Sequence, residues 1–301
     1  MIMKKYFVWA ILFALPVLAA CDKDKDKDGE EKGGGGASTE VTVNNLAGTW
    51  FLNSEEESEI IEETLIFSNN GAFSSEATYF YYEGGSKTIG SQYKTEGTYK
   101  LLDGNLIVAE TKKAQYRYSN NGQMSEWMDD EYNLSTDTMN VSLLYKGAVV
   151  LFTPVVEDYE SQATSFFFRK GANLPNDKSE LQGTWYWYEY GEQDMVRVAV
   201  KFSDDEIDMI ITPWGQRYTG KYTYKDGIVK IGETTFYTSR DKSGYHDVIN
   251  YTDPYKTEWR TPEADDYYQN RYPDGFSFPF VVDGKTAYSE FVGLSPIYKK
   301  Q

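Results

Sequence analysis

The sequence predicts an all-β protein made of two tandem antiparallel up-and-down β-barrels, and three observations carry that prediction. The first is a repeat: Leu46-Ala47-Gly48-Thr49-Trp50 returns as Leu181-Gln182-Gly183-Thr184-Trp185, with the two tryptophans 135 residues apart. The second is that further anchors follow in the same order. Phe67 matches Phe202. Gly97-x-Tyr99 with Asp103-Gly104 matches Gly220-x-Tyr222 with Asp226-Gly227. Glu126-Trp127 matches Glu258-Trp259, and Phe168-Arg169-Lys170 matches Tyr298-Lys299-Lys300. The spacing shrinks between Phe67 and Gly97, so the second copy lacks about a dozen residues near 75–90, as loop variation on one scaffold produces. The third is punctuation: Asn69-Asn70-Gly71, Asp103-Gly104 and Asn120-Asn121-Gly122 are hairpin signals between β-favouring runs.

Taken in order, residues 1–21 read as a targeting segment, with Lys4 and Lys5 ahead of an apolar run from Tyr6 to Leu15 that is too short to span a bilayer. Leu18-Ala19-Ala20-Cys21 resembles the lipobox of bacterial lipoproteins, which implies cleavage before Cys21 and acylation of that residue, the single cysteine of the chain. More than one acyl chain makes such a membrane anchor stable. Residues 22–41 have almost nothing apolar to bury, so an acidic and Gly-rich disordered tether is expected. Asp24, Asp26, Asp28 and Gly29 match the opening of a calcium loop, but its twelfth position, which needs a bidentate Glu, is Gly35. Acidic residues after the lipidated cysteine resemble surface-export signals of Bacteroidetes-type bacteria, whereas in enteric bacteria Asp22 implies inner-membrane retention. The expectation is an outer-membrane lipoprotein exposed at the cell surface.

The first domain is expected over 42–172, a linker over 173–178 around Pro175, and the second domain over 179–301. Residues 55–63 are Glu-rich and pass for a helix on propensity. Their counterpart decides otherwise: Val196, Val198, Val200 and Phe202 alternate with Arg197, Ala199 and Lys201, as in a half-buried strand. Carried back, Ile61, Glu63, Leu65 and Phe67 face inward, and Glu63 is a carboxylate where the second copy has Val198. It either lines a cavity or sits at a wet strand end. Trp185 and Trp187 face one way and Tyr186 and Tyr188 the other.

The chain carries 26 tyrosines and a net charge of −17, of which the tether's first eleven residues supply little, so the acidity belongs to the domains. A phosphate backbone is repelled by such a charge, and nucleic acid is not an expected partner. The one histidine, His246, leaves no His-based triad common to both copies, and no zinc set, phosphate loop or dinucleotide fingerprint occurs. No metal or cofactor is expected. Carboxylate pairs for glycoside hydrolysis have candidates in Asp129, Asp130 and Glu131, or in Asp265 and Asp266, with solvated loop acids as the commoner reading.

Gly48-x-Trp50 and Gly183-x-Trp185 on first strands, a later Gly-x-Tyr with an Asp-Gly hairpin, and a closing aromatic-basic strand resemble the bacterial lipocalin-like lipoproteins. The resemblance spans both copies. It implies eight-stranded barrels in which each motif tryptophan packs near a closed end under a basic residue of the last strand: Arg169 in the first copy and Lys299 in the second. The Thr-Asp-Tyr motif of lipocalins is absent.

Two functions from different classes follow. One is non-enzymatic binding of a small apolar molecule or a glycan. The other is a structural or accessory role, in which barrels with solid-packed interiors bind another envelope protein. A carboxylate-dependent hydrolase trails both. The binding residues expected are Tyr251, Tyr255, Trp259, Tyr267, Tyr268 and Tyr272, together with Glu63. The aromatic stretch from Gly244 to Phe280 resembles a rim loop, and its rings can cover a sugar or lipid while Asp253, Glu258, Asp265 and Asp266 accept hydroxyls. The competing view is that these rings only fold the segment down.

Overall fold

The computed structural model describes residues 40–55, 59–83, 86–103, 105–120, 122–155, 164–188, 195–244, 249–290 and 297–300. The targeting segment, Cys21, nearly all of the tether, and Tyr245 and His246 lie outside the described residues. Among the described residues no helix is long and apolar enough to cross a membrane.

The first copy opens on one helical turn, α1 (Val43–Leu46), closed at its start by a reciprocal cap between Thr42 and Asn45. Ten strands follow: β1 (Gly48–Glu55), β2 (Glu59–Phe67), β3 (Ala72–Glu83), β4 (Ser86–Leu102), β5 (Leu106–Asn120), the short β6 (Gln123–Met124) and β7 (Met128–Asp129), then β8 (Thr136–Leu144), β9 (Val149–Pro154) and β10 (Ser165–Arg169). Successive long strands pair antiparallel, and β10 returns to β1 through Trp50↔Arg169 and Phe51↔Phe168. The result is a ring-like sheet.

The second copy has β11 (Gly183–Tyr188), β12 (Val196–Ser203), β13 (Glu206–Ile211), β14 (Gln216–Lys225), β15 (Ile228–Thr238), β16 (Phe276–Asp283), β17 (Thr286–Ser289) and β18 (Ile297–Lys300). Each pairs with the next and β18 closes on β11, which makes an eight-stranded antiparallel barrel. The described part of the Glu-rich segment is strand, with Glu55 ending β1 and Glu59 to Glu63 opening β2, and the inward row Ile61, Glu63, Leu65 and Phe67 is buried. The shortfall of the second copy falls on one hairpin: β3 and β4 have 12 and 17 residues, β13 and β14 only 6 and 10.

The repeated motif does the same physical work twice. Trp50 and Trp185 are fully buried, and each indole N–H donates to a carbonyl four residues back, Leu46 at 2.8 Å and Leu181 at 2.7 Å. Gly48 and Gly183 have φ of +139° and +115°, and a Cβ at Gly48 would lie 2.9 Å from the Arg169 guanidinium. That guanidinium stacks 4.1 Å over Trp50 and donates to the carbonyls of Gly147, Ala47 and Asn45. In the second copy the stacking cation is Lys300, 4.9 Å from the Trp185 ring, not Lys299. Strand alternation decides this: Lys300 pairs with Trp185, while Lys299 pairs with Tyr186 on the outer face and is exposed. Tyr99 and Tyr222 likewise set their rings edge-on against Phe67 and Phe202, at 4.9 and 5.1 Å, each beside a bulge at Gly97 or Gly220.

The two copies share one sheet and one apolar seam. Beyond Phe51, β1 leaves β10, and Glu55 pairs with Ser277 of β16. Phe166 and Phe168, on the outer face of β10, are buried all the same, in a cluster that also takes in Ile228, Val281 and Tyr288 of the second copy. Gly227 is required there, because a Cβ would come 2.5 Å from the Phe168 ring. The linker is tied in as well: the Pro175 carbonyl accepts from Gly227 N–H at 2.7 Å.

Candidate functional site

Register across the two sheets allows the interiors to be compared row by row. In the first copy one inward row runs Leu52, Glu63, Ala77, Tyr93, Tyr116, and the row below it Trp50, Leu65, Ser75, Thr95, Ala114. The corresponding rows of the second copy are Trp187, Val198, Ile211, Gln216, Thr238 and Trp185, Val200, Met209, Tyr218, Phe236. At four positions the first copy has Ala77, Ser75, Thr95 and Ala114 where the second has Ile211, Met209, Tyr218 and Phe236. The second copy's four are all buried, and its interior receives Tyr272 and Tyr268 besides. In the first copy Ser75, Ala77, Tyr93, Thr95 and Tyr116 face the interior yet are only half-buried, so this half of the ring is less tightly filled than the second copy's.

Glu63 shares the inward row of Ala77, Tyr93 and Tyr116. It is 3% exposed, and its Oε2 has no hydrogen-bond partner. Burial, and secondarily the nearby carboxylate of Glu290, push its carboxyl up to about 8. Glu290 belongs to the second copy, just past β17, and is itself buried. The neighbouring lining is aromatic: Tyr79 meets Tyr93 edge-on at 5.5 Å, and Tyr93 stacks with Tyr116 at 6.4 Å. Ser75 and Thr95 hydrogen-bond to each other at 2.7 Å.

The expected aromatic cluster of the second copy is divided among three places. Tyr255 and Trp259 lie on the outside of the barrel, against Tyr186, Val196, Ala199 and Ile210. The Tyr255 hydroxyl donates to the Asp208 carbonyl at 3.0 Å, and the Trp259 N–H to the Pro254 carbonyl at 3.2 Å. This strap explains why Ala199 is buried on the outer face of β12, where alternation predicts a wet side, and it also covers Val196, which a register shift beside Tyr188 sets with Tyr186 rather than in the inward row; Lys201 stays exposed. Tyr268 and Tyr272 pack into the barrel core, with Tyr272 5.4 Å from Tyr218. Tyr251 and Tyr267 remain exposed. Trp127 occupies the same connection in the first copy, but it lies under Arg117 and Lys94, at 4.5 and 4.6 Å, on the outside of β4 and β5.

Four of the candidate acids, Asp129, Asp130, Asp265 and Asp266, are engaged by donors of the protein. Asp266 is held by Arg260 at 2.6 Å, which keeps it below the usual carboxylate range, and Asp265 contacts Lys242 at 3.2 Å. Asp129 accepts from Gln115, and Asp130 from Asn133. Among the described residues no group of three or more His, Cys, Asp or Glu is placed to hold a metal ion.

Sequence reasoning placed Glu63 on the inward face and did not single out Glu290, Ala77, Tyr79, Tyr93 and Tyr116, which the structure sets near it. The small residues were within reach, because carrying the repeat through each hairpin sets Ala77 on Ile211 and Thr95 on Tyr218. Glu290 had no such signal, since its approach to Glu63 depends on how the copies dock.

Fold and site together define an all-β protein of two tandem antiparallel units, one a closed barrel and one a ring-like sheet with a buried carboxylate on its inward face. No protein family and no curated protein matches the chain. Among solved structures it is similar to Aeromonas veronii immune modulator A, at 9% identity over 89% of this chain and 97% of that one, with a TM-score of 0.26.

Proposed function

We propose that this chain is a lipid-anchored, lipocalin-like binding protein of the bacterial cell envelope, exposed at the surface, whose first copy holds a small molecule and whose second copy is a solid support. The observation that carries the reading is the contrast of interiors: small and polar inward residues around Glu63, against Ile211, Met209, Tyr218 and Phe236 at the same positions. Eight-stranded barrels either fill with side chains or hold one small ligand, and this pairing fits one copy to each use. The strap does not favour a glycan platform, because Tyr255, Trp259, Tyr268 and Tyr272 are committed to packing. The accessory-protein alternative draws its support from the second copy alone.

The test is a thermal-shift screen of the purified chain against small cationic, neutral and anionic aromatic compounds. The Ala77→Ile variant, which installs the second copy's residue, should fold and lose every shift. Hits that survive Ala77→Ile would move the site elsewhere. The anchor is checked separately: a fatty-acid analogue should label the wild type and not Cys21→Ser, and equal labelling would rule it out.

A further inference from the structure

Given that the first copy is the binding copy, we propose that the extended part of its β3–β4–β5 sheet is a platform for a short, uncharged oligosaccharide, held against the rings of Tyr79, Tyr81, Tyr93, Tyr116 and Tyr118. The extension is what the second copy lacks. β3 pairs with β4 from Ala72↔Thr98 to Glu83↔Ser86, whereas β13 pairs with β14 only from Glu206↔Lys221 to Ile211↔Gln216. Ala77↔Tyr93 corresponds to Ile211↔Gln216, so every pair of β3 and β4 beyond that row is an addition that the closed barrel does without.

Alternation sets all five tyrosines on the inward side of these strands. Tyr79 meets Tyr93 edge-on at 5.5 Å, and the rings of Tyr93 and Tyr116 are near-parallel, 22° apart. Small residues stand between the rings. Ser91 separates Tyr79 from Tyr118 across the strands, and Gly90, at a register shift, leaves room for the Tyr81 ring, which a Cβ would approach to 3.1 Å. The outermost rings are open to solvent, Tyr118 at 46% exposure and Tyr81 at 36%. From Ala77 to Tyr81 along β3, and from β3 to β5 across the sheet, the face measures roughly 13 by 10 Å, which exceeds one sugar ring.

Charge decides the class of ligand. From Ser75 to Tyr81, from Thr88 to Thr95 and from Ala114 to Tyr118, every inward side chain is uncharged, while the outward positions of the same stretches carry Glu76, Lys94 and Arg117. An ionic ligand meets no counter-charge on this face. An acyl chain would shut phenols and the hydroxyls of Ser91 and Thr95 away from water, at a cost for each group left without a partner. A sugar ring suits both features. Its C–H groups lie against the negative face of an aromatic ring, and its hydroxyls take up the hydrogen bonds that the phenols and hydroxyls otherwise make with water.

The experiment probes a glycan array with the purified chain. The array carries neutral oligosaccharides of glucose, mannose, xylose and galactose, with oligogalacturonides as the acidic arm, and the strongest hit is measured by isothermal titration calorimetry. Binding is expected in the neutral arm alone. The double variant Tyr81→Ala with Tyr118→Ala removes the two solvent-open rings; it should keep the wild-type melting temperature and weaken the hit by about tenfold or more. Tyr267→Ala, which removes an exposed ring of the second copy, should bind as the wild type does. A blank neutral arm, a preference for oligogalacturonides, or an affinity that survives the double substitution overturns the platform. If the array is blank but Ala77→Ile abolishes the thermal shift of an aromatic compound, the first copy stands as the binding copy and only the sugar falls. A sugar hit that Tyr267→Ala abolishes, or that neither the double variant nor Ala77→Ile affects, removes the first copy as the site.

Discussion

The two copies share a closed end and differ in the rest of the interior. At the closed end Trp50 and Trp185, Phe67 and Phe202, and Tyr99 and Tyr222 hold matching positions with matching partners. In the row of Trp185 and the row beyond it, the second copy fills its barrel with Met209, Tyr218, Phe236 and Ile211, and the first substitutes small residues and a buried acid. Stability requires a packed core, and a buried carboxylate opposes it. A chain that keeps both versions side by side shows which residues the scaffold demands and which it only tolerates. The motif end belongs to folding, and the Glu63 half of the first copy is where function is free to sit.

The largest way to test that division is at the shared end. Trp50→Ala and Trp185→Ala should each cost ~3–5 kcal/mol, the usual loss for a buried aromatic. Denaturant unfolding monitored by far-UV circular dichroism checks this. If either tryptophan is replaced at a cost below ~1 kcal/mol, the claim that the motif is core in both copies fails.

The seam tests whether the copies are independent. Gly227→Ala puts a methyl group into the Phe168 ring at a φ of +78°, and should cost ~2–4 kcal/mol from overpacking together with the left-handed backbone. The unfolding of both copies should shift, because Phe168 belongs to the first and Gly227 to the second. A shift confined to the second copy would show the seam to be weak.

Glu63→Val imposes the second copy's solution and should stabilise the protein by ~1–3 kcal/mol near neutral pH. The carboxyl ionises near 4.5 in the unfolded chain and near 8 in the folded one. Between those values the unfolded state releases the proton that the folded state keeps, so wild-type stability falls as pH rises through this window. Below it both states are protonated and the advantage of the variant shrinks to a packing difference. Above it both are ionised and the advantage levels off. Melting temperatures of the two proteins from pH 4 to 9 should diverge with rising pH, and parallel curves would mean that Glu63 is solvated.

The smallest effect concerns the cation over each tryptophan. Arg169→Lys should cost ~1–2 kcal/mol, because the guanidinium donates to three backbone carbonyls that an ammonium cannot reach together. Lys300→Arg should change stability by less than ~0.5 kcal/mol, since this position at a sheet end is half exposed. A large gain there would indicate that the second copy's closed end is under-packed.

Much of this was legible without coordinates. The repeat located β2 against its own helix propensity, put Trp50 and Trp185 in the core, and turned Glu63 inward, because strand alternation is a local two-residue period that any sequence displays. The same period, applied to two adjacent lysines, did not say which one faces in. Lys300 rather than Lys299 stacks on Trp185 because the closing register of β18 on β11 is set by the whole barrel. The strap was seen as an aromatic stretch but not as a cover for the outside of β11, β12 and β13, since an irregular segment carries no period from which to read the surface it meets. Glu290 lay furthest from reach. Its place beside Glu63 results from β1 leaving β10 to pair with β16 and from Phe166 and Phe168 burying themselves against the second copy. Such long-range contacts are decided by the balance of apolar area over the whole molecule, and only the tertiary structure sets that balance.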